Sequence, residues 1–151
     1  MADKYSDGVD GRDSRQMLLM VWNERFSVNV KVIDEDHKKL MGLANELHDA
    51  IRNQRGSQVL APLLDELVKY TQYHFAREEE FFAITGYEDA ARHKRQHDFL
   101  AERLLDIQQR YSRGSQALTL ETMAFLKDWF YGHTLGSDAR YGPHLNACGI
   151  H

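Results

Sequence analysis

Five histidines and two carboxylates carry the chemistry that this sequence offers: His37, His74, His93, His97, His133, Glu78 and Asp138. His74 and Glu78 stand four residues apart, as do His93 and His97, so on a helix each pair projects from one face about 6 Å apart, a spacing suited to gripping metal. Imidazole and carboxylate without thiolate form a nitrogen and oxygen donor set. Such a set fits octahedral iron or manganese better than a closed tetrahedral zinc site, although affinity order alone leaves zinc and copper open. Seven ligands of this kind are more than one metal can use. Two six-coordinate metals that share both carboxylates and one solvent-derived oxygen would leave a single position open, room for a small diatomic ligand.

The elements that must position these residues are helices. Only two prolines, Pro62 and Pro143, interrupt the chain, and a proline in a helix interior costs about 3 kcal/mol. Ile33, His37, Leu40, Met41, Ala44, Leu47 and Ile51 recur at helical spacing from Asp34 until Gly56. A second stripe, with Ser57 as its expected N-cap, runs through Leu60, Leu64, Leu67, Thr71, His74, Glu78, Phe81 and Phe82 to Gly86, with Pro62 expected in its first turn. Ala90, His93, His97, Leu100, Leu104, Ile107 and Tyr111 form a third, ending before Gly114. The fourth is capped by Thr119 or Ser115 and carries Met123, Leu126, Phe130 and His133 until Gly136.

Short connections make these segments antiparallel neighbours, and the spacing predicts an all-α, up-down-up-down four-helix bundle. Residues 1–20 read as a flexible tail, 21–145 as the helical domain and 146–151 as a C-terminal tail. Between Trp22 and Ile33, Trp22, Phe26, Val28, Val30 and Val32 alternate with polar residues; with no second strand to pair with, this is an extended N-terminal arm on the bundle.

In that topology the start of the first helix, the last third of the second, the start of the third and the end of the fourth lie at one end. His37, His74, Glu78, His93, His97 and His133 all occupy inward positions, where an unpartnered polar group costs on the order of 1 to 3 kcal/mol. They therefore form one cluster. Asp138 follows His133 by five residues and would point away on a regular α-helix; the expectation is that Gly136 in LGSD breaks the backbone and swings the carboxylate back.

Composition excludes other classes. The chain has 151 residues, a formal charge of −4 and 42% hydrophobic residues, with mean hydropathy −0.59. It has no broad basic field for nucleic acid and no apolar run of the roughly 20 residues that span a membrane. One cysteine, Cys148, and a polar N-terminus point to the cytoplasm.

The phrases IDEDHKKL, HFAREE, HKRQH and HTLGSD resemble, in order and spacing, the hemerythrin family, nearest to its single-domain bacterial members, from about Trp22 to Tyr141. The resemblance implies a centre of two iron ions, Fe2+/Fe3+, with a bridging oxo or hydroxo group, that binds dioxygen reversibly. It puts His93, His97 and His133 on one iron and His37 and His74 on the other, with Glu78 and Asp138 bridging. It also implies no enzymatic activity. Storage, delivery or scavenging of oxygen follows, with a protein partner to receive it; the alternatives are sensing through a noncovalent signalling partner, or a di-iron peroxidase or nitric-oxide-reducing enzyme.

Where the family often carries Trp-Leu before its last histidine, this chain has Trp129-Phe130, and Phe81 and Phe82 replace Leu or Met. Phe130 and Phe81 are accordingly expected to line the oxygen pocket. Glu79 and Glu80 are expected to point off the ligand face, and His144 and His151 to be solvated.

Overall fold

The computed structural model describes residues 18–151, so the expected flexible tail lies outside the described residues except for its last three. The helices are α1 (Lys31–Arg52), α2 (Ser57–Thr85), α3 (Ala90–Ser112), α4 (Leu120–Gly132) and α5 (Ala139–Ala147). A π-helical turn, His133–Asp138, joins α4 to α5 without a break, so the two make one rod, the fourth of the bundle. No strand occurs among the described residues. α1 packs on α2, α2 on α3, and α4 closes against α1. This is the expected antiparallel four-helix bundle.

Each helix buries its apolar stripe. Leu40, Leu47, Leu64, Leu67, Leu104, Ile107, Met123 and Leu126 form the long core, and Val28, Val30, Ile33, Phe82, Tyr141 and Leu145 form a smaller capping cluster at the end that carries the buried histidines. α2 stops where Gly86 adopts φ 65°, a left-handed turn that lets the Tyr87 N–H reach back to the Phe82 carbonyl at 3.1 Å. Pro62 sits exposed in the second turn of α2 rather than its first, and Gly56, not Ser57, holds the N-cap position. Thr119 caps α4, accepting from the Thr122 N–H at 3.2 Å.

α1 begins at Lys31, three residues before the expected Asp34, because Val30 at the N-cap offers no capping side chain that sequence could show. The Asp34 carboxylate works outward instead, accepting from the Ser27 hydroxyl at 2.6 Å and from the Val28 N–H at 2.9 Å, which pins the arm to the helix. The arm crosses α5 at Gly142, where a Cβ would stand 2.6 Å from the Val28 carbonyl oxygen. Helical structure continues to Ala147, and Ile150 packs on the capping cluster.

Candidate metal centre

α1 brings His37, α2 brings His74 and Glu78, α3 brings His93 and His97, and the π-helical turn brings His133 and Asp138. All seven side chains are buried, Glu78 with 0% exposure and Asp138 with 1%. Burial of that degree is tolerable for carboxylates only with partners of opposite charge or a metal.

Their atoms converge. Asp138 Oδ1 lies 3.1 Å from His93 Nε2 and 3.0 Å from His133 Nε2, while its Oδ2 lies 3.1 Å from His37 Nε2. One carboxylate thus faces both sides of the cluster with different oxygens. Glu78 Oε1 lies 2.8 Å from His74 Nε2 and 3.3 Å from His97 Nε2, and His37 and His74 meet Nε2 to Nε2 at 3.1 Å. Close approach does not give aligned hydrogen bonds: both Glu78 oxygens, both Asp138 oxygens and Nε2 of His93, His97 and His133 have no hydrogen-bond partner. Native interiors seldom leave such atoms orphaned. Aimed at common points rather than at one another, they suit a cation. Two groups of donors meet that description, Glu78 with His93, His97 and His133, and Glu78 with His37 and His74, and they share Glu78.

The approach of Asp138 to His133 corrects the expected break at Gly136. Gly136 keeps ordinary helical φ, since the glycines with positive φ are Gly86, Gly114 and Gly149. The π-helical turn is wider than an α-turn, so residues five apart stack on one face, and the carboxylate returns to its histidine within continuous helix.

Without a metal the cluster balances its own charge. Burial opposes protonation of His74, but Glu78, the Asp36 hydrogen bond and Asp138 outweigh it and push the imidazole up to about 10. His133 is raised for the same reason, burial being overcome by Asp138, whereas burial holds His97 below its ordinary value. Burial would raise Glu78 and Asp138, yet the surrounding imidazoles hold both carboxyls well below their usual range.

Residues around the cluster went unread in the sequence. Asp36 Oδ2 accepts from His74 Nδ1 at 3.0 Å. Gln96 Oε1 accepts from His133 Nδ1 at 2.7 Å and from the Ser137 hydroxyl at 2.6 Å. Polar residues one position from a candidate ligand, Asp36 before His37 and Gln96 before His97, are the available signal. Phe75 stacks on His97 at 3.8 Å between ring centroids and Trp129 on His133 at 4.4 Å. Tyr141 stands 5.5 Å from His93, its phenol pushed well above its ordinary value by burial and by Glu78 and Asp138.

A cavity of about 40 Å³ adjoins the cluster, walled by Leu40, Ala44, Leu100, Leu104, Leu126, Trp129 and Phe130 and reaching Met20 of the arm. It touches His37, His74, His133 and Asp138 but not Glu78, His93 or His97. Phe130 lines it, edge-on to His37 at 5.6 Å. Phe81 does not; it packs on the capping cluster, because its place on α2 turns it toward the arm. Two further expectations change. Glu79 is half-buried with Oε2 3.7 Å from His97 Nδ1, not turned wholly to solvent. His144 is half-buried, its Nε2 3.0 Å from the Thr85 hydroxyl.

Residues 28–145 match the family model described as the hemerythrin HHE cation binding domain. The chain is 35% identical to a bacteriohemerythrin of Methylococcus capsulatus over 132 residues, covering 87% of this chain and all of that protein. It is 32% identical to a bacteriohemerythrin of Stenotrophomonas maltophilia over 131 residues, covering 87% of this chain and 84% of that one. A crystal structure of wild-type hemerythrin superposes with a TM-score of 0.81 at 34% identity, covering 84% of this chain and 98% of the other.

Proposed function

Because the chain belongs to the hemerythrin family, whose members are oxygen-binding proteins rather than enzymes, we propose that its buried cluster holds two iron ions joined by an oxo or hydroxo bridge and binds dioxygen reversibly. His93, His97 and His133 would hold one iron, His37 and His74 the other, with Glu78 and Asp138 spanning both. When bound, a ferrous pair supplies the electrons that reversible oxygen binding draws on. The observation that carries the reading is the cavity, which meets the side of the cluster that has two histidines and is separated from most of the side that has three.

The chain's own residues account for the rest. The apolar wall, from Leu40 to Phe130, keeps water from the cluster and favours a small apolar ligand. Beyond the candidate ligands, that wall brings no carboxylate, lysine or further histidine to the cavity. The unpartnered donor left in the lining is the weakly acidic Thr134 hydroxyl, so no strong acid stands beside the site, which favours release of oxygen over its reduction. Thr71, which also lines the cavity, donates its hydroxyl to the Leu67 carbonyl at 2.7 Å and is occupied. Storage, delivery or scavenging of oxygen in the cytoplasm is the role this chemistry serves; a single, exposed cysteine accords with that compartment.

Metal analysis combined with optical spectra cycled between argon and air tests the reading. Two irons per chain and oxygen-dependent absorption bands that vanish under argon are expected. Retention of one metal, or bands that do not reverse, would overturn it.

A further inference from the structure

The outer nitrogens of the cluster's histidines are not held alike. His74 Nδ1 donates to a buried carboxylate, Asp36 Oδ2, at 3.0 Å. His133 Nδ1 donates to a neutral amide oxygen of Gln96. His97 Nδ1 lies 3.7 Å from Glu79, too far for a hydrogen bond, and His37 Nδ1 is buried without a partner.

Asp36 is itself fixed. The Tyr70 hydroxyl donates to its Oδ1 at 2.7 Å, and Arg77 Nη1 stands 3.5 Å from that same oxygen, which leaves Oδ2 for His74. Asp36 directly precedes His37, and one residue of an α-helix turns about 100°. His37 therefore points into the cluster while its neighbour meets α2. A single turn of α1 thus carries both a candidate ligand and the brace for another.

We propose that Asp36 is a positioning residue of the centre: it fixes the His74 proton on Nδ1, turns the Nε2 lone pair toward the metal, and makes His74 the stronger donor of the His37 and His74 pair. An imidazole whose outer N–H donates to an anion shares that negative charge and becomes more basic toward metal, which a neutral amide such as Gln96 does less. The metal beside His37 and His74, on the cavity side, is then more easily oxidised than it would be without Asp36. This inference rests on the two-iron reading above.

The test uses the full iron-loaded chain and Asp36→Asn, which keeps the shape and one accepting oxygen but removes the charge. Expected are two irons at saturating iron, release to a chelator about 10- to 100-fold faster, and a midpoint potential shifted upward, with Asp36→Glu recovering part of both. Tyr70→Phe strips the competing hydrogen bond from Oδ1 and should shift the potential the other way. It also keeps the test alive should Asp36→Asn fail to fold. An unmoved potential in both variants would overturn the inference, even with faster iron release, because Asp36 would then be mere support. A wild-type chain that takes up no iron pair would defeat the two-iron reading instead.

Discussion

The two sides of the ligand cluster are built on different principles. Around His93, His97 and His133 the support is mainly aromatic, with a Gln96 hydrogen bond behind His133: Phe75 lies flat on His97 with 6° between the planes, Trp129 on His133 with 16°, and Phe82 edge-on to His93 at 4.8 Å. On the side of His37 and His74 the support is polar behind His74, through Asp36, Tyr70 and Arg77, and open on the inside, where the cavity lies. Flat stacking fixes ring orientation and fills space, so the first side is the more enclosed, with His93 and His97 clear of the cavity and His133 at its edge. A hydrogen bond fixes orientation while leaving one flank of the ring free. That is the construction a ligand-accepting metal needs.

The largest expected effect comes from the residue the two sides share. Glu78→Ala removes the carboxylate common to both donor groups, and iron content should fall from two per chain to near zero by metal analysis. Full loading would mean that the two sides assemble independently.

Next, Phe75→Ala should cost about 3 to 5 kcal/mol in denaturant unfolding, because it removes the ring stacked on His97 and extends the cavity beneath it. Phe130→Leu on the open side should cost under about 1.5 kcal/mol yet change the rate of oxygen release. Equal costs with an unchanged release rate would erase the contrast.

The pH response separates the cluster with metal from the cluster without. In the metal-free chain the folded-state pKa of His74, about 10, lies above its ordinary 6.5. The stability it contributes is fully present below 6.5 and is lost as pH rises toward 10. Glu78 and Asp138 are lowered, so their contribution is present above their ordinary values of 4.5 and 3.8 and is lost as pH falls further. Thermal unfolding of the metal-free chain should thus show greatest stability between about 4.5 and 6.5. Above 6.5, where the metal-free chain loses the His74 contribution, metal retention should follow the opposite slope and strengthen as pH rises, because imidazoles bind only when neutral. Parallel slopes would argue against histidine ligation.

The smallest effect is expected at Glu79→Gln. At 3.7 Å from His97 and half-exposed, Glu79 should change stability by no more than about 0.5 kcal/mol and leave iron content intact. A large loss would make it a carboxylate support matching Asp36 and narrow the difference between the sides.

Much of this was legible before folding. The spacing of His74 with Glu78 and of His93 with His97 needs only the 3.6-residue turn, and the four-helix topology then brings the ligand-bearing ends together. The route of Asp138 differs from the expected break at Gly136, because a π-helical turn leaves no compositional mark as clear as a glycine. Phe81 departs from its expected place because neighbours on a helix face directions about 100° apart, and of the pair only Phe82 is buried. Asp36 carries no distinct signal, because an acidic residue in the first turns of a helix has an ordinary explanation in the helix dipole.

Residue types and their spacing settled which donors this chain can offer, since both follow from covalent chemistry and the pitch of one helix. What lies behind each donor was decided by packing. Whether an imidazole leans on a carboxylate, an amide or a ring depends on side chains from a different helix, such as Asp36 on α1 behind His74 on α2 or Phe75 on α2 against His97 on α3. No local periodicity encodes contacts between residues 38 or 22 positions apart in the chain. They exist only once the helices have met.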